Sequence, residues 1–282
     1  MKICLDPGHV KGYNAGYDKA YREGTAMFTL AEKLKTALQR YAGVEVFLTR
    51  GLNDNPSLEA RGKLARSLKC DLLISLHSNA YKSTTACGVS TFYSVKRESK
   101  ALAKKLAEAV AAEMAKDTGV TYSRGAKTRT YVGAGDGKTY DYYGIIRNTV
   151  VGSTVKHAVI VEHGFHTNPA ECRWLMQDKN LDRLAATDAA VIADFCGLTA
   201  KGEPAKAAAP APVEPIKIGD RVRVVGTKFW KSGVLMAPWV AAGCVFEVMR
   251  LKDDGLSAVI GRKIAGKLAV TGTIGTEYLQ RV

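Results

Sequence analysis

Hydrophobic and polar positions divide the 282-residue chain into three stretches of different period. In the first, up to residue 198, short apolar runs alternate with segments of helical period. Residues 3–5, 44–48, 72–76, 89–93 and 158–161 are rich in aliphatic and β-branched side chains and short enough to be strands. Between them, Met27, Leu30, Ala31, Leu34, Leu38 and Tyr41 fall on one helical face, and the Ala-, Leu- and Lys-rich residues 100–115 predict a second helix. Strands alternating with helices predict an α/β fold, a largely parallel sheet covered by helices on both faces.

The second stretch, 199–215, is Ala, Pro, Lys and Glu with almost no large apolar residue. Its four prolines, Pro204, Pro210, Pro212 and Pro215, predict a semi-stiff extended linker. The third, 216–282, holds strand-like runs at 221–225, 245–251 and 258–260 between Gly- and Asp-containing turns, without a helical period. A small all-β barrel domain is the simplest reading. The expected organisation is thus a catalytic-sized domain over 1–198, the linker, and a small β domain over 216–282.

Composition narrows the function classes. Hydrophobic content of 46% supports an ordinary core. No apolar run approaches the ~20 residues that span a bilayer, so no membrane insertion is expected. The first residues do not read as a signal peptide, which predicts synthesis in the cytoplasm and action elsewhere only after release by another agent. Forty-one Lys and Arg against 27 Asp and Glu leave a net charge of +14, which concentrates polyanions at the surface. Nucleic acid and the anionic polymers of bacterial cell wall both fit that charge. The six cysteines, at 4, 70, 87, 172, 196 and 244, form no C-x-x-C pair and read as reduced thiols, so any metal is not held by sulfur.

The candidate chemistry lies where strands end. Leu5-Asp6-Pro7-Gly8-His9 delivers a histidine beyond a strand through a Pro-Gly turn, and Leu72-Leu73-Ile74-Ser75-Leu76-His77-Ser78-Asn79-Ala80 delivers a second. Ligands bind at that rim of open α/β sheets. Glu23 precedes a helix expected to begin near Thr25, and Glu162 ends the apolar run Ala158-Val159-Ile160-Val161. Two imidazoles and a carboxylate form a common ligand set for catalytic zinc, and a further carboxylate is then required to move protons. Spacing by itself does not establish convergence, because no H-E-x-x-H is present.

These motifs, in this order, resemble the zinc-dependent N-acetylmuramoyl-L-alanine amidases of the amidase type 3 family. Leu58-x-x-Arg61-x-x-x-Ala65 and Val161-Glu162-His163-Gly164-Phe165-His166-Thr167-Asn168-Pro169 complete the match. The resemblance implies zinc held by His9, Glu23 and His77, and Glu162 as the catalytic glutamate. It also implies cleavage of the bond between N-acetylmuramic acid and L-alanine in peptidoglycan. Arg124-Gly125-Ala126-Lys127 and Ile146-Arg147-Asn148-Thr149 look like two further family motifs, which implies that Arg147 faces substrate, with Asn79 as a second candidate.

Val10 and His157 depart from the usual family residues, and 128–142 looks like an insertion, either substrate-facing or a solvated hairpin. His163 and His166 match no family ligand and are expected to line the pocket or serve structure. Ile218-Gly219-Asp220-Arg221-Val222, Trp230, Trp239 and Tyr278-Leu279 resemble, more weakly, the bacterial Src-homology-3-like wall-binding modules. The implied partners are peptidoglycan and anionic wall polymers rather than nucleic acid, with holin-type release if the chain is phage-encoded. Alternatives are a zinc peptidase cutting within the stem peptide, or a non-catalytic wall-binding or nucleic-acid-binding protein.

Overall fold

The computed structural model describes residues 1–201, 216–224, 244–252, 257–264 and 267–282. Residues 202–215 of the expected linker, together with Trp230 and Trp239, lie outside them. The chain divides into two compact units, Met1–Lys206 and Ala207–Val282.

In the first unit the elements run β1 (Lys2–Pro7), α1 (Glu23–Leu38), β2 (Glu45–Leu48), α2 (Leu58–Ser67), β3 (Leu72–Asn79), β4 (Val89–Tyr93), α3 (Lys100–Thr118) and β5 (Ser123–Lys127). They continue with β6 (Thr130–Val132), β7 (Thr139–Asp141), α4 (Gly144–Val150), β8 (His157–Phe165), α5 (Pro169–Leu175) and α6 (Asp178–Cys196). Six strands form one sheet in the order β2-β1-β3-β8-β4-β5. Every neighbouring pair is parallel except β4 with β8, so the sheet is mixed rather than uniformly parallel.

Side chains alternate across a strand, and this alternation sorts the core into two layers. Ile3, Leu5, Leu72, Ile74, Leu76, Val159 and Val161 pack on one face with Met27, Leu30 and Leu34 of α1, Leu106 and Val110 of α3, and Leu184 and Ile192 of α6. Cys4, Leu73, Ala158 and Ile160 pack on the other with Ala65 of α2 and Ile145 and Ile146 of α4. Helices therefore cover both faces. At the start of α2, Ser57 accepts the Ala60 N–H, and at the start of α5 Asn168 accepts those of Ala170 and Glu171 ahead of Pro169.

Three boundaries differ from the sequence reading, and all three bear on the site. Helix α1 begins at Glu23 itself, so this carboxylate stands in the first turn, where the helix dipole favours an anion. Strand β3 continues through His77 to Asn79, and β8 continues through Glu162 to Phe165. His77 and Glu162 are thus residues of a paired ladder, opposite one another in register, rather than loop residues beyond it.

The second unit is an antiparallel sheet in the order β12-β11-β10-β9-β13, from β9 (Arg221–Val224), β10 (Val245–Lys252), β11 (Ser257–Ile264), β12 (Lys267–Gly275) and β13 (Leu279–Arg281). In β9 exposed Arg221 and Arg223 alternate with buried Val222 and Val224. The buried pair joins Ile216, Phe246, Val248, Ala258, Ile260, Ile274 and Leu279 in a core of its own. Among the described residues, no helix is long and apolar enough to cross a membrane.

Candidate metal centre

Two buried arginines hold the turn that carries His9. Arg61 of α2 donates from Nη1 to Asp6 Oδ1 (3.1 Å) and to the Pro7 carbonyl (2.9 Å), and from Nη2 to the His9 carbonyl (3.1 Å). Arg50 donates to the carbonyls of Pro7 (3.0 Å), Gly8 (3.1 Å) and Gly24 (2.8 Å), tying the β1 turn to the first turn of α1. Asp6 also accepts from Thr49 Oγ1 (2.5 Å) and Ser75 Oγ (2.6 Å). His9 sits at φ 55°, a left-handed conformation that costs energy for a residue with a Cβ and persists where neighbours over-determine it. Gly8 is required beside it: a Cβ there would stand 2.6 Å from His77 Nδ1.

These constraints bring the three sequence-predicted ligands together. One donor atom each from His9, Glu23 and His77 lies within 4.8 Å of the others. His77 Nδ1 is 2.9 Å from Glu23 Oε1, and His9 Nε2 is 3.4 Å from Glu23 Oε2. The Ser78 backbone N–H donates to Glu23 Oε1 (3.1 Å) and Asn14 Nδ2 donates to Glu23 Oε2 (2.7 Å). Asn14 Nδ2 also lies 3.2 Å from His9 Nε2. An amide NH2 only donates, so in this contact the lone pair of His9 Nε2 is directed at Asn14.

Electrostatics pair these donors with one another: burial works to lower His77, but the hydrogen bond to Glu23 and the charges of Glu162, Glu23 and Asp6 bring it up to about 9. Burial works to raise the Glu23 carboxyl, but the hydrogen bond from His77 and the charges of His77 and His9 bring it down to about 2. Burial lowers His9 below the ordinary imidazole value, against the pull of Glu23. Glu162 goes the other way: burial, reinforced by the Glu23 charge and opposed by His77 and His163, pushes it up to about 7. Its Oε2 is buried without a hydrogen-bond partner.

Strand alternation sets which side of the sheet this chemistry faces. Asp6, Ser75, His77 and Glu162 follow the parity of Cys4, Leu73 and Ile160, so they lie on the α2 and α4 side. A cavity of about 480 Å³ opens there, lined by His9, His77, Leu58, Tyr143, Ile145 and Ile160 among others. Two imidazole nitrogens and one carboxylate oxygen, with an orphaned acidic oxygen nearby, are a donor set that suits a catalytic zinc ion.

The family model for the N-acetylmuramoyl-L-alanine amidases matches residues 3–194, a span that contains all of these residues. The chain belongs to that family. It is 27% identical over 183 residues to the amidase LytC of Bacillus subtilis, covering 65% of this chain and 33% of LytC. To the probable cell wall amidase LytH of Staphylococcus saprophyticus it is 30% identical over 172 residues, covering 60% of this chain and 49% of the relative. The chain thus matches only a third to a half of the length of these two relatives. Among solved structures, the catalytic domain of the amidase CwlV from Paenibacillus polymyxa superposes with a TM-score of 0.56 at 25% identity, covering 71% of this chain and 99% of that one. An amidase from Clostridium difficile superposes with a TM-score of 0.55, also at 25% identity, covering 70% and 96%.

The other residues singled out from the sequence of this amidase-family chain make the following contacts. Arg147 donates to the carbonyls of Asp141 (2.8 Å) and Tyr142 (2.9 Å) and lies 5.3 Å over the Tyr131 ring. It props the inserted segment, where β6 and β7 pair as an antiparallel hairpin with Tyr131 stacked on Tyr140. Asn79 Oδ1 accepts the Ala80 N–H and closes a local turn. His166 is buried against Ser78 Oγ (2.9 Å) and stacks on Tyr21, with Nδ1 3.9 Å from Glu23. Asn14 and Arg50 stand in no recognisable motif, and the lone sequence cue at Asn14 is a polar residue in the loop between His9 and Glu23.

Proposed function

We propose that the chain is a zinc amidase that hydrolyses the bond between the lactyl group of N-acetylmuramic acid and the first L-alanine of the peptidoglycan stem. The observation that carries this reading is the convergence of His9, Glu23 and His77 on one point, with Glu162 opposite His77 on the same sheet face. When bound, zinc supplies Lewis-acid polarisation and a water acidic enough to ionise near neutral pH. Glu162, partly deprotonated near pH 7, takes the proton of the attacking water and returns it to the leaving amide nitrogen. Asn14 and Ser78 N–H hold Glu23 with both oxygens directed at the ligand cluster, and Arg61 with Arg50 hold His9. The cavity floored by Ile145 and Ile160 takes the substrate beside the scissile bond.

To the second unit we assign wall binding, with its antiparallel strands curled into a Src-homology-3-like barrel and the Pro-rich segment as its tether. The net charge of +14 supports attraction to anionic wall polymers. Mass analysis of digested wall tests the reaction: an amidase releases intact stem peptides and leaves peptide-free glycan. Products cut within the stem would instead establish a zinc peptidase, and full activity in protein stripped of metal by chelator would end the zinc assignment.

A further inference from the structure

Glu162 and His163 are neighbours on β8, and alternation sends them to opposite faces of the sheet. Glu162 lies on the α2 and α4 face, while His163 lies on the α6 face and is fully buried. There its Nε2 lies 3.0 Å from Oδ2 of Asp188 in α6, also fully buried, and its Nδ1 lies 3.1 Å from the backbone carbonyl of His77. A carbonyl only accepts, so Nδ1 carries a proton and donates it. The Nε2 contact with Asp188 then holds one further shared proton.

The ladder explains why an imidazole is needed at this point. β3 and β8 pair regularly up to His77 with Glu162, but the next pairing is Asn79 with Phe165, so β8 has one residue more than β3. The bulge contains Gly164 at φ 73° and interrupts the backbone hydrogen bonding beside His77. The His163 side chain donates to the His77 carbonyl at this bulge. Asp188 stands in α6 among Leu181, Leu184, Ala185, Ala189 and Ile192, at a core position of the helical period where an aliphatic residue packs at less cost. Its Oδ1 has no hydrogen-bond partner, so the pair is not optimised for stability alone.

We propose that Asp188 and His163 form a positioning pair that anchors the His77 backbone to α6 and thereby fixes the ligand His77 and the general base Glu162 relative to each other. This rests on His77 being a zinc ligand, as proposed above. Outer-shell partners that orient metal ligands change metal affinity or activity by about 10–100-fold when removed.

The test uses the full chain and two readouts, the zinc dissociation constant by chelator competition and kcat and KM on wall fragments. Removing one member of a buried pair strands the other, whereas replacing both with apolar residues is often neutral for stability. The main variant is therefore the double substitution His163→Leu with Asp188→Leu. It should fold, melt somewhat below wild type without metal because the His77 carbonyl loses its side-chain donor, bind zinc about 10–100-fold more weakly and lose kcat with little change in KM. Asp188→Asn, whose amide can donate to Nε2 and keep Nδ1–H on the His77 carbonyl, should retain most of the zinc affinity. If the double variant fails to fold, Asp188→Asn against Asp188→Leu provides the same comparison. A folded double variant with wild-type zinc affinity and kcat overturns the proposal, as does an Asp188→Asn variant as weak as Asp188→Leu. Failure of the wild type to bind zinc would overturn the metal assignment instead.

Discussion

Glu162→Gln separates the chemical role of this glutamate from its cost to the fold. Burial holds the Glu162 carboxyl up from the ordinary 4.5 to about 7 in the metal-free protein. A group whose folded-state value exceeds its unfolded one binds more protons when folded, so stability falls as pH rises through that window and levels off above it. At about 1.4 kcal/mol per pH unit, the ionised carboxylate costs the fold about 3 kcal/mol by pH 8 and almost nothing at pH 4. Glutamine has nearly the same volume and no charge to desolvate. In chelator, Glu162→Gln should therefore melt within a degree or two of wild type at pH 4 and about 6–12 °C above it at pH 8, given about 2–4 °C per kcal/mol for a domain of this size. Turnover of the zinc-loaded variant should fall by about 100–10,000-fold while zinc content stays unchanged. Scanning calorimetry at several pH values, with zinc analysis and a turnover assay, covers all three expectations. A stability difference that does not grow with pH refutes the burial argument. Loss of zinc in the variant would show that Glu162 is a ligand and not the base.

Other residues give independent checks. Gly8→Ala places a Cβ 2.7 Å from His77 Nε2, so the ring must turn away; zinc stoichiometry should fall well below one per chain while circular dichroism stays native. Arg61→Leu strands the buried Asp6 carboxylate and frees the His9 carbonyl, and urea titration should show a loss of about 3–5 kcal/mol. Arg147→Ala removes the props of the 130–141 hairpin, so limited proteolysis should become faster there with zinc binding unaltered. A chain ending at Lys201 retains the whole ligand set and both core layers, so it should hydrolyse soluble muropeptides at the full-length rate yet bind intact walls less tightly; equal wall binding would refute the role assigned to the second unit.

The catalytic unit was legible where apolar runs were long and bounded by turn residues. The runs that lead to His9, His77 and Glu162 are of that kind, and each of these three residues adjoins an unambiguous run. What escaped is what period does not encode. The run 89–93 reads the same in either direction, so nothing local marks β4 as antiparallel to β8. Arg50 acts entirely through backbone carbonyls of distant turns, a contact that depends on tertiary placement rather than on motif. Asn14 contacts His9 and Glu23, five and nine residues away, through a loop with left-handed backbone, whose path an isolated Asn does not reveal. In the second unit, three expected strands correspond to β9, β10 and β11, while β12 and β13, with small and polar residues interrupting their alternation, carried too little signal.

The extension of β8 past Glu162 has a physical consequence that a loop would not offer. A catalytic carboxylate must be held to a fraction of an ångström against the ligand cluster, yet its desolvation penalises the fold. Placing it in a paired strand lets both neighbours share that load: Val161 is buried in the α1, α3 and α6 layer, and His163 is tied to α6 and to the His77 carbonyl. The next anchor is Glu171 at the start of α5, which accepts the N–H groups of Phe165 (2.6 Å) and Gly88 (2.8 Å) and the Thr121 hydroxyl (2.6 Å). The strand is thus fixed on both sides of the bulge, by α6 before Gly164 and by α5 after it. On β8 this rigidity comes from helices on the face away from the cavity, while Arg61 of α2 holds the His9 turn from the cavity side.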